Sequence, residues 1–240
     1  MIQDLLKEQL VLLSNTKHSS FSNKLLVNNE YRILGVKSPY LRQIADEISK
    51  KEGLLHIYDF LIYEDPLYYE EVIVTYFVFS KVAKKLEFNL LINVLDKILK
   101  YNNSWATNDT ISMALKPSNN ITKPYFYYLI EKAKSKNIWD IRFSVVSLMS
   151  SYLSDDYIDK SLEVFSSINS EEYYVNMALG WAFATALAKQ NEKTRVYIFN
   201  KKINKAVNKI AIQKAIESRR ICDSDKIKLK QLREELKSHS

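Results

Sequence analysis

Glycine and proline are nearly missing from this chain, with three Gly and four Pro in 240 residues. So few turn formers exclude a β-sandwich, a glycine-rich dinucleotide-binding unit and a Walker-type phosphate loop, which all need glycine at fixed positions. The single cysteine, Cys222, has no partner for an internal disulfide. Histidine is scarce as well. His18, His56 and His239 lie far apart, no Cys-x-x-Cys or His-x-x-x-His spacing occurs, and no nucleophile has a base close by in sequence, so metal and triad chemistry are not expected. No metal and no cofactor enter the expected chemistry. Residues 1–13 put acidic and amide side chains where a signal peptide needs a basic and then continuously apolar run. A cytoplasmic location away from membranes is the expectation.

What is present is apolar material, 47% of residues against 26% charged, which is ample for a buried core. It recurs at helical spacing, with Leu5, Leu6, Leu10, Leu12 and Leu13 in the first segment and Leu41, Ile44, Ala45 and Ile48 in the third. In the third, Ser38 is the expected N-cap, Pro39 the first helical residue, where its missing N–H costs nothing, and Gly53 the stop. Similar patterns predict helices near 54–63, 67–85, 88–101, 104–116, 123–135, 139–153, 155–167, 171–189, 193–200, 203–219 and 224–237. The stretch 68–79 is rich in β-branched and aromatic residues, which locally favour a strand. Its length, the lack of flanking turn residues and the helical chain on both sides predict instead a central helix buried on several faces. The connections are short, which favours antiparallel neighbours. An all-α chain follows, a single domain over 1–240, built either as a compact bundle or as a solenoid of helical pairs with HEAT-like spacing.

The net charge of +7 is unevenly placed. From Lys193 to Ser240 there are 14 Lys/Arg against 5 Asp/Glu, whereas residues 1–192 hold 21 against 23. A basic C-terminal region suits an anionic partner such as nucleic acid, because each neutralised phosphate releases condensed counterions. It equally suits solvated helix faces. The acidic pairs Asp155/Asp156 and Glu171/Glu172 read as helix N-terminal charges complementing the macrodipole.

One stretch differs in kind. In 102–109, Ser104 can cap a helix on which Trp105 and Asp109, four residues apart, share a face. An indole beside a carboxylate is either a core tryptophan next to a surface aspartate or a site. Trp139 and Arg142 form a second aromatic-and-charge face, whose plain reading is a core indole with a peripheral arginine. Trp181 follows Gly180 in an Ala-rich helix, as at a close helix crossing.

In order along the chain, Gly35-Val36-Lys37-Ser38-Pro39-Tyr40-Leu41-Arg42, then Trp105-x-x-x-Asp109, the Arg142 helix and Asn176-Met177-Ala178-Leu179-Gly180-Trp181-Ala182 resemble the signature of the AlkD-type DNA alkylation repair glycosylases. The landmarks cover roughly residues 30–220. The resemblance implies an α-solenoid of HEAT-like antiparallel helical pairs whose concave, basic face holds duplex DNA. It also implies hydrolysis of the N-glycosidic bond of positively charged N3- or N7-alkylated purines, without the full base extrusion that glycosylases generally use. Asp109 would be the catalytic carboxylate, Trp105 and Trp181 indoles against the lesion's deoxyribose, and Arg142 a phosphate contact. Lys201, Lys205 and Arg219 stand in the basic C-terminal region as further DNA-binding candidates. A monomer with no obligate protein partner is expected. The chain departs from the family pattern at Phe143, where a second basic residue is usual, and at Ala182-Phe183-Ala184, where a charged run is. Both departures thin the phosphate clamp and keep a second function open, a non-catalytic HEAT-repeat protein that binds nucleic acid.

Overall fold

A computed structural model describes residues 2–24, 31–51, 54–62, 66–116, 118–200 and 202–238. Gly53, Pro117, Lys201 and His239 lie outside the described residues. The described chain is all-α, with fourteen helices. These are α1 (Ile2–Leu12), α2 (Thr16–Asn23), α3 (Ser38–Lys51), α4 (Leu54–Leu61), α5 (Tyr69–Val82), α6 (Phe88–Ile98), α7 (Trp105–Ala114), α8 (Thr122–Lys132), α9 (Ile138–Ser151), α10 (Ile158–Ser167), α11 (Tyr173–Lys189), α12 (Asn191–Phe199), α13 (Lys205–Glu217) and α14 (Asp223–Ser238). The only extended pairing among them is an isolated bridge between Arg32 and Tyr68. No helix among the described residues is long and apolar enough to cross a membrane.

The chain divides into two compact units, residues 1–125 and 126–240. In the first, α5 packs against α3 on one side and α7 on the other, with α1 and α4 also against it. This encirclement explains why a β-prone sequence is helical. Val72, Val74, Tyr76, Val78 and Phe79 are all buried, so the stripe that a surface helix would leave polar is apolar here as well. In the second unit α9, α11 and α13 lie side by side in the same alternating fashion, and α10 and α12 pack on each other. Neighbours two helices apart forming one layer is the arrangement of a helical-repeat solenoid.

Helix boundaries follow local chemistry with small shifts. At α3 the Lys37 carbonyl accepts from the N–H groups of Tyr40 and Leu41, so Lys37 takes the cap position and the helix begins at Ser38, one residue before the expected start at Pro39. Pro39 still falls in the first turn, where no intrahelical donor is lost. The helix expected from residue 155 starts at Ile158, because 154–157 form a turn closed by the Ser154 carbonyl, which accepts from Tyr157 and Ile158.

Gly180 marks a close approach of α11 and α13. A Cβ at this position would lie 2.3 Å from Cγ2 and 2.6 Å from Cβ of Ile210. Alanine replacing glycine inside a helix ordinarily stabilises by about 1 kcal/mol. Here Gly180→Ala is expected to lower stability by about 1 to 2 kcal/mol net, since overpacking costs up to about 3 kcal/mol. A variant whose urea midpoint equals or exceeds that of the wild type would refute a crossing that depends on the missing side chain.

Candidate functional site

The first unit carries a cleft of about 620 Å³ on its α3–α5–α7 layer, with α2 at its edge. α7 brings Trp105 and Asp109 to it, and the reason is local. Ser104 ends the preceding turn in extended conformation and its Oγ accepts from the Thr107 N–H at 3.3 Å, the capping expected from the sequence. The two residues before it, Asn102 and Asn103, are buried, and the Tyr76 hydroxyl donates to Asn102 Oδ1 at 2.8 Å, which ties the start of α7 to α5. The first turn of α7 is thereby fixed, and residues at four-residue spacing project into one groove. Trp105, Asp109 and Met113 all line it. Trp105 and Asp109 are half-buried, and Met113 is exposed.

The floor is apolar, with Val36, Leu41, Ile73 and Phe77. A carboxylate against such a floor acts in a lower dielectric than one on an open surface, and its field on a bound cation is correspondingly stronger. His18 and Ser22 from α2 form part of the edge. Neither was legible as a site residue, because their segment lacks any motif and reaches α7 only through the fold.

A second unforeseen feature is Glu70, 1% exposed and also lining the cleft. Its Oε1 accepts from the N–H groups of Gly35 at 2.7 Å and Val36 at 3.3 Å, and its Oε2 from Leu34 at 3.1 Å. Three consecutive backbone donors on one carboxylate satisfy its oxygens in the buried site and fasten segment 34–36 to α5. The one local signal was an acidic pair in a helix's first turn just ahead of a long apolar run.

The second member of the pair, Glu71, reaches back over its own helix start. Its Oε2 accepts from the N–H groups of Leu67 at 2.9 Å and Tyr68 at 2.8 Å, while Oε1 stands 3.8 Å from Lys7 Nζ. Burial pushes its pKa above the ordinary 4.5, against the opposing pull of the Tyr68 N–H, the Lys7 charge and the Leu67 N–H. The folded state therefore binds this proton more tightly than the unfolded state does, so the group favours folding below 4.5 and loses that contribution as pH rises through the raised value. Glu71→Gln is expected to flatten the decline of stability with pH just above 4.5, while all other carboxylates contribute as before. Urea unfolding at half-unit pH steps checks this, and an unchanged slope would remove the assignment.

The remaining predicted residues belong to the second unit. Trp139 is a core indole, tilted against Tyr174 with ring centroids 5.4 Å apart. Arg142 is not peripheral: it is 5% exposed, and its Nη1 donates to the Tyr174 carbonyl at 2.7 Å, linking α9 to α11. The charge is accommodated because that carbonyl supplies an acceptor inside the packed layer. Trp181 is half-buried on α11 one residue past the Gly180 crossing. Phe143, Ala182, Phe183 and Ala184 are all core residues, so the positions where this chain departs from the family pattern are filled by packing. Lys205 begins α13 and is exposed, and Arg219 is exposed after its end. Lys201 lies outside the described residues.

Comparison with known proteins adds two findings. No curated protein matches the chain. Residues 6–218 match the model of a family described as DNA alkylation repair enzyme.

Proposed function

The chain belongs to the family of DNA alkylation repair enzymes, and from that premise we propose that it is a DNA glycosylase acting on N3- and N7-alkylated purines in duplex DNA. The observation that carries this reading is the shared cleft of Trp105 and Asp109 over an apolar floor. Alkylation of a ring nitrogen makes the purine a cationic leaving group, so the glycosidic bond is already weak and little acid assistance is needed. The bond electrons pass to the base, which leaves neutral, and C1′ of the sugar becomes cationic. Water oxygen then bonds to C1′ and gives up a proton, for which Asp109 is the nearby acceptor, leaving an abasic deoxyribose. A carboxylate about 4 Å from the sugar cation, at an effective dielectric near 20, stabilises it by roughly 4 kcal/mol. The electron-rich face of Trp105 adds about 0.5 to 2 kcal/mol and keeps out bulk water. In the same reading the second unit's Trp181 is a further indole candidate and its exposed Lys205 and Arg219 are phosphate contacts, whereas Arg142, expected as a phosphate contact, is instead buried on the Tyr174 carbonyl and holds α9 to α11.

The test is release of free base. Purified protein is incubated with duplex DNA carrying 7-methylguanine, and the expected result is free 7-methylguanine with an intact but abasic strand. No release from any methylated duplex would remove the enzymatic reading. Salt-sensitive retention of the same DNA without release would establish the non-catalytic binding protein in its place.

A further inference from the structure

The cleft that holds Asp109 does not end at α7's midpoint. A second cleft of about 410 Å³ continues it, sharing Arg42, Phe77 and Ala114, and is lined further on by Asp46, Ser80, Lys81, Lys84 and Lys116. From the first cleft to the second, residue numbers rise on α3, on α5 and on the chain through α7. The groove therefore runs along the three helices from their N-terminal to their C-terminal ends. Its character changes along the way, from an apolar floor beside Trp105 and Asp109 to four cations against a single carboxylate.

That carboxylate is already committed. Asp46 Oδ1 lies 2.5 Å from Lys81 Nζ, and this hydrogen bond, with the charge of the same lysine, holds the Asp46 pKa below its ordinary value. Arg42 lies over the Phe77 ring with its Cζ 4.2 Å from the centroid, which fixes the guanidinium at the junction of the two clefts. Among the described residues no carboxylate pairs with Arg42 or Lys84.

Resting on the proposed activity, we infer that this basic end is a phosphate track for the damaged strand, with Lys84 and Lys116 as its contacts and Arg42 at its entrance. Along helical backbone at 1.5 Å per residue, the cations stand roughly 10 to 15 Å beyond Asp109. One DNA strand advances about 3.4 Å per phosphate along the duplex axis, so the track meets the backbone about three to four nucleotides from the lesion. The first unit thereby holds DNA through its own cations, independently of the basic C-terminal region. A plainer role also exists for Lys84, since a cation near the end of α5 complements the helix dipole.

The experiment uses the full chain and an undamaged duplex, so that its outcome does not depend on whether base release occurs. Binding is measured between 50 and 200 mM salt for wild type, Lys84→Gln/Lys116→Gln and Lys84→Arg/Lys116→Arg. Each phosphate contact contributes a slope of about −0.9 in log affinity against log salt. The Gln pair is expected to reduce the slope by about 1.8 and to weaken binding roughly 50-fold at 0.1 M salt, and the Arg pair to keep the wild-type slope. The single Lys84→Gln, at an exposed position, gives half the slope change should the double variant fold poorly. A Lys134→Gln/Lys160→Gln chain, whose exposed lysines pair with Glu131 and Glu163 three residues away, is the control with little change. A slope unaltered by Lys84→Gln, with or without a loss of stability, would overturn the track and leave only the dipole role. Base release by wild type with an unaltered slope would spare the proposed activity while refuting the track. A reduced slope without any base release would do the reverse.

Discussion

Asp109→Asn is expected to slow release of 7-methylguanine by about a thousandfold under single-turnover conditions, with affinity for undamaged duplex close to that of wild type. The substitution keeps the shape of the side chain and removes its charge. What is lost is the attraction between a carboxylate and a sugar that is cationic only in the transition state, roughly 4 kcal/mol at about 4 Å and an effective dielectric near 20. An interaction present only in the transition state lowers the rate without touching ground-state binding, which is why the two readouts separate. The loss of a mere surface aspartate on α7 would leave both nearly unchanged. Trp105→Ala belongs to the same series with a smaller effect, about 3- to 30-fold, because a ring face attracts a cation less strongly than a full charge does. A rate for Asp109→Asn within tenfold of wild type would remove the carboxylate from the mechanism, whatever the fate of DNA binding.

How much of this was legible in the sequence depended on the distance over which each feature is determined. The Ser104 cap and the Trp105–Asp109 face lie within six residues of one another, and local capping and helical periodicity suffice to place them. The helix at 69–82 needed more than local propensity, since its composition favours a strand, and the deciding evidence was the helical pattern on both sides. Glu70 could be read only as a first-turn charge, because the N–H groups it binds come from residues about 35 positions earlier. Arg142 erred in the opposite direction. A guanidinium is most often exposed, and nothing near it in sequence announced that the Tyr174 carbonyl, 32 residues on, would receive it within the packed layer. His18 reaches the cleft in the same long-range way, through the packing of α2 beside the α3–α5–α7 layer. Pairings of this kind are properties of the assembled fold, and a helical period carries no information about them.

The segment that Glu70 fastens leads to the second large effect, expected of Gly35→Ala. Gly35 has φ of 79°, in the left-handed region that side-chain-bearing residues rarely enter. Its missing side chain is also required by the surroundings, since a Cβ would lie 2.3 Å from the Asn15 carbonyl oxygen and 2.4 Å from the Ser19 backbone nitrogen. Those atoms cannot rotate away as a side chain would. The Ser19 N–H donates to the Asn15 carbonyl at 2.9 Å, the Asn15 N–H donates to the Leu34 carbonyl at 2.8 Å, and Asn15 Oδ1 accepts from the His18 N–H at the start of α2. Relief of the clash therefore requires either α2 or segment 34–36 to move, and the latter is held by the buried Glu70 carboxylate. Left-handed strain of about 1 kcal/mol or more, added to overpacking against backbone of up to about 3 kcal/mol, predicts a loss of about 3 to 4 kcal/mol in urea unfolding. Both elements that would have to shift line the cleft, α2 through His18 and Ser22 and the loop through Val36. Base release should consequently fall even at temperatures where the variant remains folded. A Gly35→Ala chain within 1 kcal/mol of wild type would mean that α2 yields easily, and that the cleft edge it forms is not held by the Glu70 clamp.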